Sequence, residues 1–232
     1  MNHQHVLLTG GTGGLGLGVT PAVLRRGVAA VTIPYREHYG VERLKGILSP
    51  AERSRVHFVA VDLTDEAAVA GAIAAMERVD VLIHLVGGFS MQAVHELSWT
   101  DWQQSFAINL TTTFLVCKYS LQRMRQQGYG RIVTISSQGA AQPRAQQAAY
   151  CAAKAGVVAL TQAIAQETKG MDITANVVLP GTIDTPGNRE AMGSAHADQW
   201  VKPASLAETI CFLASESARD LRGAVISVCG NG

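Results

Sequence analysis

Charge is scarce in this chain and nearly balanced. Charged residues make up 16% of its 232 positions, with 19 Lys and Arg against 18 Asp and Glu and a formal net charge of +1. That composition offers neither the basic stripe that holds nucleic acid nor the polybasic segment that docks on an anionic membrane. Cysteine is sparse too. Cys117, Cys151, Cys211 and Cys229 lie far apart and form no CxxC pair. This argues against a disulfide framework or a metal site and for reduced thiols in a cytoplasmic protein. No apolar run is long enough to span a bilayer. The segment Met1-Asn2-His3-Gln4-His5 leads straight into a strand-like run, without a signal-peptide pattern. Linkers, low-complexity tracts and internal repeats are absent as well. What remains is a globular composition, 47% apolar with a mean hydropathy of +0.14, long enough to bury a sizeable core.

Short β-rich runs alternate with helical stretches along the chain. The runs fall at residues 5–9, 29–34, 55–61, 79–86, 131–136, 173–179 and 224–228. Most are nearly continuous Val, Ile and Leu, the pattern of parallel strands covered on both faces. Helices are expected between them at 15–26, 65–78, 99–127, 146–169 and 205–215. Alternation of this kind implies βαβ units with right-handed crossovers, and hence an α/β fold. The expected architecture is one Rossmann-like domain over 1–232, a doubly wound parallel sheet of about seven strands with helices on both faces. Pro21 falls inside the first helix and should kink it or loosen its first turn.

Two local patterns carry chemistry. The first strand runs into Thr9-Gly10-Gly11-Thr12-Gly13-Gly14-Leu15-Gly16, which opens the first helix. Glycines permit a tight turn and close approach of a pyrophosphate, and the helix N-terminus offers free N–H groups and a positive dipole end. The second pattern is Tyr150 and Lys154, four apart in an Ala-rich helical stretch. That spacing stacks a phenol and an ammonium on one helix face, and a nearby cation stabilises a phenolate, so the phenol can exchange protons near neutral pH. Taken alone, the pair also fits an exposed Tyr and Lys on a solvated face.

Taken together, these features resemble the short-chain dehydrogenase/reductase family over essentially the whole chain. Thr9, Gly10, Gly14 and Gly16 match its TGxxxGxG loop, and Tyr150 and Lys154 its YxxxK. Asp62, in Val61-Asp62-Leu63-Thr64, stands where the family sets an aspartate against the adenine. Asn109 matches the family's helix asparagine, and Ser137, 13 residues before Tyr150, its catalytic serine. Pro180-Gly181-Thr182-Ile183-Asp184-Thr185 matches the PGxxxT turn beside the nicotinamide. Gly10, Gly13 and Gly16 also fit the TGxxGxxG loop of the family's extended branch, but the short stretch after Thr185 leaves no room for that branch's substrate domain, so the resemblance is to the classical branch. It implies hydride transfer between a nicotinamide and a carbonyl or alcohol, with Tyr150 as general acid or base. Lys154 would lower the phenol pKa and hold the nicotinamide ribose, Ser137 would polarise the substrate oxygen, and Asn109 would hold a water.

The pattern departs from the family at His84-Leu85-Val86-Gly87, where Asn-Asn-Ala-Gly is usual; Gly87 still lets the backbone pass close to the cofactor. His84 is read first as a core histidine. No aspartate ends the second strand; Arg36 stands there and offers a bidentate phosphate partner. NADP(H) is therefore favoured, with NAD(H) possible. Residues 186–201 read as a short substrate lid over a small carbonyl or alcohol, with Met192 and Trp200 covering it. A 3-oxoacyl thioester reductase or general carbonyl reductase is the leading reading. A dihydropteridine reductase, suggested by Asp184-Thr185-Pro186 with Asn188-Arg189 and Trp200, and a non-catalytic dinucleotide sensor are the alternatives. The family habit, and the apolar or small residues spread around 99–127 and 146–169, imply a homodimer or homotetramer.

Overall fold

The computed structural model describes residues 1–231. In chain order it comprises β1 (His5–Thr9), α1 (Gly16–Arg25), β2 (Ala30–Tyr35), α2 (His38–Ile47), α3 (Pro50–Arg53), β3 (Val56–Ala60), α4 (Glu66–Ala74) and β4 (Val81–His84). Then come α5 (Trp99–Phe106), a π-turn (Ala107–Thr111), α6 (Thr112–Gln127), β5 (Tyr129–Ile135), α7 (Ala148–Glu167), β6 (Asp172–Pro180), α8 (Pro186–Met192), α9 (Pro203–Leu213) and β7 (Val225–Val228). The seven strands form one sheet in the order β3-β2-β1-β4-β5-β6-β7, and every pairing is parallel. The expected doubly wound sheet is present. Strand order reverses between β1 and β4, and ligands of such sheets bind in the crevice at that switch point, beyond the strands' C-terminal ends.

Apolar strands are needed because both faces are covered. On one face Val19 and Val23 of α1 and Leu206 and Ile210 of α9 pack on Leu8, Ile33 and Ile83. On the other, Val69 and Ile73 of α4, Leu115 and Val116 of α6 and Ile164 of α7 pack on Leu7, Leu82 and Ile132. Each such side chain contributes about 1.5–3 kcal/mol through its burial.

Four differences from the sequence expectation bear on function. First, α2 and α3 were not anticipated. Only Val41 and Leu44 of α2 are buried, too few for a clear helical stripe, whereas α3 opens with a capping box between Ser49 and Glu52 and has Pro50 at its start. Second, the single helix expected at 99–127 is broken by the π-turn that contains Asn109. Third, the segment expected as a lid contains α8, whose first turn is capped by the Thr185 hydroxyl accepting from the Asn188 N–H at 3.3 Å. Fourth, α7 is long and apolar enough to cross a bilayer. No continuous apolar run marks it in the sequence, because Tyr150, Lys154 and Gln162 interrupt it. Ala149, Ala153, Val157 and Ile164 are buried, with Val157 packed on Val177 and Leu179 and Ile164 on Ile173 and Ala175, so it is a core helix here. The helix containing Pro21 is not interrupted, but its first turn is mixed: the N–H groups of Gly18 and Val19 both donate to the Leu15 carbonyl.

Candidate active site

A cleft of about 790 Å³ opens at the switch point. Its floor is the turn between β1 and α1. A Cβ on Gly16 would stand 2.2 Å from the Gly10 carbonyl oxygen, so only glycine lets the helix start this close to the strand's exit. Gly10, Thr12, Gly14 and Leu15 line the cleft, while Gly16 sits inside the turn. Thr9 is fully buried beneath it, and its hydroxyl lies 2.7 Å from His84 Nδ1. Neighbouring strand ends supply Arg36, Asp62, Leu63 and Gly87, the last residue of β6 supplies Pro180, and the turn after it supplies Gly181, Ile183 and Thr185. The Asp62 carboxylate accepts from the Thr64 N–H at 2.9 Å and the Thr64 hydroxyl at 2.7 Å. Those hydrogen bonds hold its pKa below the usual carboxylate value.

Ser137, Tyr150 and Lys154 line the same cleft. Asn109 lies just behind the wall. Its amide donates to the carbonyls of Gly88 and Ser105, both at 2.9 Å, and its oxygen accepts from the Gly88 N–H at 3.1 Å. Asn109 thus braces the end of β4 that lacks the family's asparagines. Gly87 is pinned between these groups. A Cβ there would lie 2.8 Å from Asn109 Oδ1 and 2.9 Å from Lys154 Nζ.

Electrostatics differ from the expectation in one respect. The i, i+4 spacing predicts that Lys154 lowers the phenol pKa of Tyr150. Instead the phenol is raised above 10, because its burial outweighs the opposing contribution of the Ser137 hydroxyl. Lys154 Nζ instead donates to the Ile135 carbonyl at 3.0 Å, and burial lowers its own pKa from 10.5 to about 8. The Phe89 ring packs edge-on against Tyr150, with centroids 5.0 Å apart. His84 is fully buried, and burial, followed by the charge of Lys154, lowers its pKa to about 3. It is a neutral core histidine tying Thr9 of β1 to Thr112 of α6, whose hydroxyl is 3.5 Å from Nε2.

Some lining residues escape a sequence reading. Arg43 and Tyr39 of α2 face the cleft near Arg36, with the Arg43 guanidinium 5.6 Å from the Tyr39 ring centre. Their i, i+4 spacing was the available signal. Phe89, Gln142, Arg144 and Met192 line the other end. Trp200, expected over the substrate with Met192, is not part of the wall. The stretch 186–201 is tied down at its base. Asp184 pairs with Arg189 and with Lys202 at 2.8 Å, and these partners hold its pKa far below the usual carboxylate range.

The family model for short chain dehydrogenases matches residues 4–194. The chain belongs to the short-chain dehydrogenase/reductase family. It is 32% identical to D-threitol dehydrogenase of Mycolicibacterium smegmatis, over 97% of this chain and 90% of that one. It is 33% identical to acetoacetyl-CoA reductase of an Acinetobacter species, over 99% and 98%. A solved structure of a variant actinorhodin polyketide ketoreductase with NADPH superposes with a TM-score of 0.89 at 28% identity, covering 99% of this chain and 98% of the other. This short-chain dehydrogenase/reductase is therefore an NAD(P)-dependent oxidoreductase acting between alcohol and carbonyl, which sets aside the non-catalytic sensor.

Proposed function

We propose that the enzyme reduces the ketone of a small molecule, of the 3-oxoacyl thioester or general carbonyl type, with NADPH. The observation that carries this reading is the Tyr150 phenol. It lines the cleft beside Ser137 and Lys154. A phenol, protonated at neutral pH and set beside a second hydroxyl, can give a proton to a substrate oxygen, which is what reduction asks of it.

The cleft residues fit a nicotinamide dinucleotide. The glycine turn and the start of α1 suit its pyrophosphate, Asp62 its adenine, and Arg36 with Arg43 a 2′-phosphate. When bound, that cofactor supplies the hydride. The chain's own residues do the rest. Ser137 donates a hydrogen bond to the substrate oxygen and polarises the C=O bond. As the carbon takes the hydride, the oxygen takes the Tyr150 proton, leaving an alcohol and a phenolate. Lys154, a cation at neutral pH with an altered pKa, favours that phenolate and holds the ribose, while Asn109 keeps the end of β4 in place. Arg36 lies 3.6 Å from Glu37 and is mostly exposed, free to swing toward a phosphate.

The chain is proposed to work as one cytoplasmic unit with residues 186–201 as its lid, and to assemble as a homodimer or homotetramer. Phe114 on α6 and Phe212 on α9, on opposite sides of the sheet and each 46% exposed, support separate apolar surfaces to be covered. Turnover of a ketone panel with NADPH and NADH, on the native enzyme and on Tyr150→Phe, tests the reading. Loss of reduction in the variant with cofactor binding retained is expected; turnover within tenfold of the native enzyme would remove Tyr150 from its role.

A further inference from the structure

The substrate end of the cleft has a polarity of its own. The acidic side chains that line the cleft, Glu37 and Asp62, belong to the far end, beside β2 and β3. Around Tyr150 the wall is made by Phe89, Met192, glutamines and two cations, the buried Lys154 and the exposed Arg144. Arg144 is exposed and, among the described residues, has no ion-pair partner.

Arg144 does not ride on a loose loop. Two residues later Gln146 adopts φ +66°, a left-handed conformation that non-glycine residues rarely take. The backbone is pinned there. The Gln92 N–H donates to the Gln146 carbonyl at 2.7 Å, and Gln92 bridges to Gln147 in parallel fashion. The Gln147 N–H reaches back to the Arg144 carbonyl at 3.3 Å, and α7 starts at the next residue, two before Tyr150. A strained and anchored loop thus fixes the backbone that carries Arg144 just ahead of the helix that carries Tyr150. The wall between them is apolar on the Phe89 and Met192 side, and those side chains are 57% and 53% exposed.

We infer that Arg144 is a specificity-determining residue that binds an oxyanion carried by the substrate, so that the preferred substrate is a ketone bearing an anionic group on a short apolar chain. This rests on the proposed ketone reduction. A guanidinium recognises carboxylate and phosphate alike, as a planar fork of donors, and both sources must be compared.

The experiment uses the full-length enzyme, Arg144→Ala and Arg144→Lys, with two pairs of ketones: acetoacetate against its ethyl ester, and dihydroxyacetone phosphate against dihydroxyacetone. NADPH oxidation gives kcat/KM for each. In parallel, calorimetry measures acetoacetate and dihydroxyacetone phosphate binding to the NADP-saturated proteins. In Arg144→Ala the charged-to-neutral ratio of kcat/KM should fall at least tenfold in one pair, through KM, with partial recovery in Arg144→Lys. The pair that responds identifies carboxylate or phosphate. Losses equal for charged and neutral ketones, or no loss, would overturn the inference, as would absence of both anion binding and anion turnover in the native enzyme. If no ketone is reduced but anion binding disappears in Arg144→Ala, the oxyanion contact of Arg144 stands, while ketone reduction and with it the ketone substrate class fall. If ketones are reduced and anion binding ignores Arg144, the reverse holds.

Discussion

Lys154 should make this enzyme less stable than it could be, and the deficit should depend on pH in a defined way. Its side chain is buried to 4% exposure, with the ammonium donating one hydrogen bond, to the Ile135 carbonyl. Burial lowers its pKa from 10.5 to about 8, which corresponds to roughly 3 kcal/mol of penalty on the charged form. Between those values the unfolded chain holds a proton that the folded chain has released, so stability rises with pH across that window. Below it, both states are protonated and the full penalty stands. Lys154→Met keeps the volume and removes the charge, at the expense of one hydrogen bond worth about 1 kcal/mol. At pH 7 the variant should therefore be more stable by about 2 kcal/mol, or about 4–8 °C in Tm for a chain of this size, while losing activity. By pH 10 the advantage should shrink to nearly nothing. Denaturant unfolding of both proteins at pH 7 and pH 10 checks this, since other titrating groups cancel in the difference. A variant that is less stable at pH 7, or a difference that ignores pH, would refute the account of a charge held against its own hydration for the sake of chemistry.

Three further outcomes follow from the site and surface. Arg36→Ala should weaken NADPH binding by about 1–2 kcal/mol, less than a buried charged hydrogen bond because the guanidinium is exposed, and Arg43→Ala should do the same; equal losses for NADH in a fluorescence titration would remove both from 2′-phosphate recognition. Hydrogen exchange across 186–201 should slow when cofactor and substrate bind, most strongly beyond α8, because the base of the segment is already fixed by Asp184; identical protection with and without ligands would mean a rigid wall. Light scattering at micromolar concentration should give a dimer or tetramer, and a strictly monomeric mass would contradict the reading of the exposed Phe114 and Phe212.

Much of the fold was legible because parallel strands buried on both faces leave near-continuous Val and Ile runs, and all seven were locatable within a residue or two. What escaped was built from weak or nonlocal signals. α2 buries two side chains, so its stripe is faint, and with it the approach of Arg43 to the cleft was missed. The π-turn carries no composition mark: Ala-Ile-Asn-Leu-Thr is unremarkable helix sequence, and its geometry depends on how Asn109 reaches Gly88 across the chain. Tyr150 and Lys154 were legible as a pair from spacing. The sign of the phenol shift was not, because it depends on how deeply each group is buried and on where the ammonium finds its acceptor.

The π-turn at Ala107–Thr111 also has a geometrical consequence for how this chain can vary. One residue more or fewer in an α-helix turns everything beyond it by about 100°. A stretch with wider winding works as a phase adjuster between the two helical segments it joins. α5 sets its Trp102 and Phe106 rings, stacked with centroids 4.6 Å apart, by its own contacts, and α6 sets Leu115 and Val116 against the sheet by separate ones. A residue gained or lost in α5 can be taken up at the wide turn before the rotation reaches α6. The two halves of this long helix thus keep separate headings, reconciled at the wide turn that carries Asn109.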